Sequence, residues 1–129
     1  MSHPPFTLVG LDHVVFLVDD MVRAVTFYRE VLGCVDGYNY PALGMEQVWC
    51  GASLIVLWDI THPGAASAVP PISGGRNVDH VCIATSPFPP EAMRAHLLTV
   101  TDVWAPGGSE SAIEAAMHGS DGKELRRIG

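Results

Sequence analysis

The chain has 129 residues, 48 % apolar and 16 % charged, a balance that fits one packed domain and leaves little room for a second. Its net charge of −7, with only seven Lys and Arg, offers no phosphate-neutralising surface, so nucleic acid and anionic membranes are poor partners. No apolar run approaches the ~20 residues of a membrane span, and the Met-Ser-His-Pro-Pro start lacks the basic head and apolar stretch of a secretory signal.

The first element in chain order is the β-type run Leu11 to Val18, Leu-Asp-His-Val-Val-Phe-Leu-Val. Asp19 and Asp20 are good N-cap residues for a helix over Met21 to Leu32, whose stripe is Val22, Val25, Tyr28 and Leu32 and whose natural stop is Gly33. Phe27 and Tyr28 read as core at that helical position. Glu46 to Cys50 and Ser53 to Trp58 are candidate strands around a Gly51 turn. Pro63 to Asn77, rich in Pro, Gly, Ala and Ser, reads as a linker.

Val78 to Thr85 then echoes the first run, with the same Asp-His-Val core. After it, Pro90 opens a helix over Glu91 to Val100 with a Met93, Leu97 and Val100 stripe. Asp102 to Ala105, Ala112 to His118 and Lys123 to Ile128 are the closing strand candidates. Two copies of a βαβββ unit fit the length, and only two, so a solenoid is excluded. Cys34, Cys50 and Cys82 are odd in number and show no CxxC spacing. They read as free thiols in a reducing compartment, and the expectation is a soluble cytoplasmic protein.

These residues resemble a known family. Leu11 to Asp20, then Ala24-Val-Thr-Phe-Tyr28, then Val31-Leu-Gly33, look like the opening of a vicinal oxygen chelate (VOC) domain. That superfamily holds glyoxalases, extradiol dioxygenases and fosfomycin- and bleomycin-resistance proteins. The passage from Pro70-Pro71 to Asp79-His80-Val81 resembles its mid-chain join, and Ser120 to Leu125 its closing turn and strand. The likeness implies an α+β fold, with two paired βαβββ modules forming a cupped, barrel-like mixed sheet and helices outside. The modules would be about 8–62 and 76–129, joined by the Pro/Gly-rich linker. It also implies a small-molecule ligand or substrate and a homodimer.

His13 and His80 are the central pair, at equivalent positions of the repeat. Strand alternation groups His13 with Leu11, Val15 and Leu17, and His80 with Val78, Cys82 and Ala84. The small Cys82 and Ala84 leave space beside His80 for a ligand. A histidine in an apolar strand needs a hydrogen-bond partner or a metal, and two core histidines bonded to backbone or water are the competing reading. Four-ligand members of the family carry a Glu where the alignment puts Val56, which argues against a glyoxalase I type of site. A three-ligand site remains, with His13, His80 and a carboxylate holding a divalent metal, Fe2+, Mn2+ or Zn2+.

The third ligand has two candidates. Counting from Asp121-Gly122 without a gap puts Arg126 in the family's Glu slot, whereas two missing residues put Glu124 there. Arg126 in the cup repels metal and suits a carboxylate or phosphate ligand instead. Trp49, Val56, Trp58, Cys82 and Arg126 are pocket-lining candidates, and His118 is a candidate acid–base group. Asp59 and His62 are too sparse for a metal pair, and Gly74-Gly75-Arg76 is no phosphate loop.

The expected function is a metal-dependent enzyme of the extradiol-dioxygenase-like or fosfomycin-resistance-like type. The alternative is a metal-free binding protein that sequesters its ligand as bleomycin-resistance proteins do. A purely structural dimerisation module has little support in the sequence.

Overall fold

Residues 4–68, 81–85, 87, 89–100, 117–118 and 124–126 are described in the computed structural model of the chain. The chain divides into two compact units, Met1–Val25 with Gly33–Ala68, and Thr26–Leu32 with Val69–Gly129.

In the first unit, the β-branched and aromatic run gives strand β1 (His13–Val18). Helix α1 (Met21–Thr26) follows, and the Asp20 carboxylate caps it by accepting the Arg23 N–H at 3.0 Å. The helix continues as a π turn over Phe27–Val31. Val25, Tyr28 and Val31 are buried along this segment, but Val22 is 79 % exposed. The inward stripe therefore begins one turn later than the apolar spacing predicts. Gly33, at φ +75°, ends the segment in the left-handed conformation that glycine adopts without steric cost.

Strands β2 (Val35–Tyr40), β3 (Met45–Cys50) and β4 (Ser53–Asp59) then form an antiparallel meander. β1 adds to the far side of β4 in parallel, giving the order β1-β4-β3-β2 of a βαβββ unit. β2 is an edge strand that the sequence reading did not name. Its Asp36, Gly37 and Asn39 are poor strand formers, and its ladder with β3 is interrupted by a bulge between Asp36 and Asn39.

The registers fix which residues share a face, since cross-strand partners point the same way. His13 pairs with Leu54, Val15 with Val56 and Leu17 with Trp58, while β3 sets Trp49, Gln47 and Met45 beside those same β4 residues. That face is partly open. The opposite face carries Phe16, Val48, Ile55 and Leu57, all buried, with Leu57 at 0 % exposure. This closed face is the core of the first unit, and its apolar burial is the main source of its stability.

In the second unit, the π turn packs with helix α2 (Pro90–Thr99). Val31 and Leu97 are buried together, with Phe27, Leu32, Met93 and Val100 around them. The expected Met93, Leu97 and Val100 stripe is the inward one. His96 adds a 2.7 Å hydrogen bond from its ring Nε2 to the Val31 carbonyl.

Strands β5 (Cys82–Ala84), β6 (Met117–His118) and β7 (Glu124–Arg126) form a sheet in the order β5-β7-β6. Both of its pairings are antiparallel, so among the described residues it does not repeat the parallel β1–β4 pairing of the first unit. The candidate strand Asp102 to Ala105 and linker residues 69–77 lie outside the described residues. The element content is α+β, and the first sheet is mixed and open, with β1 and β2 at its edges.

Candidate functional site

β1 begins at His13, and its imidazole stands on the partly open face of the first sheet, with 47 % of its side-chain surface exposed. The neighbouring Asp12 carboxylate lies 2.7 Å from Nδ1. An ionised carboxylate only accepts, so Nδ1 carries the proton and the Nε2 lone pair of the neutral ring is left to donate to an electrophile. A carboxylate holding one ring nitrogen while the other stays available is the usual surrounding of a metal-ligating histidine.

The rest of that face is apolar and aromatic. Val15, Leu17, Leu54, Val56, Trp58, Met45 and Trp49 share it, with Gln47 the polar side chain near its centre, in register with Val56. Val56 itself is buried at 4 % exposure. No carboxylate of strands β1, β3 or β4 lies on the face with His13, because Glu46 and Asp59 alternate to the other side. The first sheet thus supplies one imidazole and no acid to this surface.

Trp58 is half-buried, and its indole Nε1–H donates to the Leu43 carbonyl at 2.8 Å. It therefore ties the β2–β3 turn to β4 as well as contributing to the face. Asp59 and His62 are both taken up by the turn after β4. Asp59 Oδ1 accepts from the Thr61 hydroxyl at 2.6 Å and the Thr61 N–H at 2.8 Å, which hold its carboxyl below the usual range. His62 Nδ1 accepts from the Gly64 N–H at 2.8 Å, capping a single 3-10 turn at Pro63–Ala65.

In the second unit, the strand registers place four of the candidates. Glu124 is the register partner of His118 on one side and of Ala84 on the other. Arg126 is the partner of Cys82. His80 lies outside the described residues. Among the described residues, no group of three His, Cys, Asp or Glu is arranged to hold a metal ion.

Comparison with known families decides the assignment. A family model for the Glyoxalase/Bleomycin resistance protein/Dioxygenase superfamily matches residues 10–119. The chain belongs to this superfamily. A solved lactoylglutathione lyase from Agrobacterium tumefaciens shares the VOC fold with it. The two superpose with a TM-score of 0.51 at 20 % identity, over 72 % of this chain and 71 % of that one. Comparison with curated proteins gives no match. No helix among the described residues is long and apolar enough to cross a membrane.

Within the superfamily's fold, two features escaped the sequence reading. Gln47 was hidden in a short strand, although the alternation Met45, Gln47, Trp49 puts it on the face of His13. Asp12 is signalled by its place as the first residue of the repeated Asp-His-Val.

Proposed function

We propose that this VOC protein is a metal-dependent small-molecule enzyme whose metal is held by His13, His80 and Glu124. The observation that carries the reading is the Asp12–His13 pair, which leaves one imidazole nitrogen available on a partly open, otherwise apolar face. His13 suits Fe2+, Mn2+ or Zn2+, and with a second imidazole and one carboxylate the donor set leaves open positions for a substrate. A metal held by these residues would supply Lewis-acid chemistry, polarising substrate oxygens.

The chain's own residues supply the surroundings. Asp12 fixes the His13 tautomer and ring orientation. Trp49, Trp58, Val15 and Val56 form a low-polarity surface that binds an apolar or aromatic substrate body and sheds water. Gln47 offers both a donor and an acceptor to a polar substituent. An extradiol-dioxygenase-like or fosfomycin-resistance-like activity is the subtype that fits three ligands, and His118 is the acid–base candidate. The expected assembly is a homodimer in the cytoplasm.

A second reading rests on the absence of a carboxylate from the His13 face of strands β1, β3 and β4. If Arg126 rather than Glu124 serves the site, its charge opposes a divalent ion by roughly 4 kcal/mol per unit-charge pair at 4 Å and moderate dielectric. The protein then sequesters an acidic ligand without metal, as a binding protein.

Titration with Mn2+ under anaerobic conditions, followed by calorimetry, separates the two. The enzyme reading expects about one site per chain, lost in His13→Ala, His80→Ala and Glu124→Ala and retained in Arg126→Ala. No heat of binding in the wild type, with an acidic small molecule bound in an Arg126-dependent way, establishes the second reading instead.

A further inference from the structure

Two of the three cysteines have no part in the proposed site, yet the meander brings them together. The β2–β3 ladder pairs Val35 with Trp49, and one step further along it sets Cys34 opposite Cys50. Directly opposed residues of an antiparallel pair have Cα atoms about 4.5–5.5 Å apart, inside the range that a disulfide spans. Both cysteines are free and half-buried. Alternation puts them on the sheet face opposite His13, because Val35 and Trp49 occupy the His13 side.

We propose that Cys34 and Cys50 are a peroxide-reactive dithiol, which closes to a disulfide across the β2–β3 ladder when oxidised. The two side chains are hydrogen-bonded to each other. The Cys34 thiol stabilises a Cys50 thiolate, lowering Cys50 to about 7 despite its partial burial. Cys34 is raised well above the ordinary thiol range by the same hydrogen bond, then by burial and by the Cys50 charge. With Cys50 the more acidic of the pair, the proposed order has Cys50 as the nucleophile and Cys34 as the resolving thiol, and the single-serine variants below test that order.

The chemistry balances with hydrogen peroxide as oxidant. The Cys50 thiolate attacks one peroxide oxygen, the O–O bond breaks, and the departing hydroxide becomes water by taking up the proton that Cys50 released to solvent on ionising. Cys50 is then a sulfenic acid. The Cys34 sulfur attacks it, the S–O bond breaks, and the departing oxygen leaves as water with the Cys34 proton. Two thiols have lost two electrons, and one peroxide has become two waters. The bridge joins edge strand β2 to β3 and closes a loop that the unfolded chain must also carry, so the oxidised form gains stability.

The test uses the whole wild-type protein, treated with a slight excess of hydrogen peroxide and alkylated without reduction. Cleavage after Glu30, Glu46 and Arg76 puts the three cysteines on separate peptides. The expected result is a Cys34–Cys50 crosslinked pair, 2 Da lighter than the reduced peptides and reversed by dithiothreitol, with Cys82 alkylated. The oxidised protein should unfold several degrees higher than the reduced one. In Cys34→Ser, a sulfenic acid at Cys50 should be trapped by dimedone, and Cys50→Ser should form no bridge. Cys34 and Cys50 both alkylated after treatment, bridges that instead involve Cys82 or a second chain, or oxidation of either cysteine without a bridge in the wild type would overturn the proposal.

Discussion

Asp12 carries the argument at the scale of single residues. Its carboxylate is exposed, and an exposed carboxylate–imidazole contact of this kind contributes little to stability. Its value lies in fixing the ring of His13, and outer partners of this kind typically change metal affinity 10- to 100-fold. Asp12→Asn should therefore leave the unfolding midpoint within about 0.5 kcal/mol of wild type. It should weaken Mn2+ binding by roughly that 10- to 100-fold factor. Competition against a chelating dye measures the affinity, and an unchanged constant would reduce Asp12 to a bystander. The histidine was legible in the repeat because identical triplets stand out. The partnership with Asp12 was not legible, since chain neighbours in extended backbone point apart and only side-chain placement reveals the bond.

Elements were legible to the extent that apolar patterning governs them. β1, β3, β4 and both helices follow from alternation, helical spacing and end signals, and each was placed within a few residues. β2 was not, because an edge strand bonded on one side tolerates Asp, Gly and Asn and so shows no apolar pattern. The π turn was equally hidden, since its apolar residues fit a continuous helix on paper. The β2–β3 connection gives a sharp test. Gly44 has φ +72°, and a Cβ there would meet the His62 Cβ and Cγ at 2.5 Å, atoms that cannot swing aside. Gly44→Ala should cost about 1–3 kcal/mol in urea unfolding. Wild-type stability in that variant would mean that the loop does not lie against His62.

For the whole molecule, superfamily membership was readable from the Asp-His-Val echo and the Phe-Tyr…Leu-Gly helix end, which are properties of chain order. The candidate site was only partly readable. His13 beside Val15 and Leu17 follows from alternation, and Val56 in place of an acid follows from the family resemblance. Glu124 and Arg126 stand two apart on one strand, so alternation gives them the same face and the sequence does not separate them. Activity in the proposed sense depends on which of the two serves the site. The most direct measurement is the metal content of protein purified without chelators, aerobically and anaerobically, by inductively coupled plasma mass spectrometry. About one iron, manganese or zinc per chain, falling to near zero in Glu124→Ala, is the predicted result. Metal near zero in the wild type under both conditions, with none taken up on addition, would contradict the metal site.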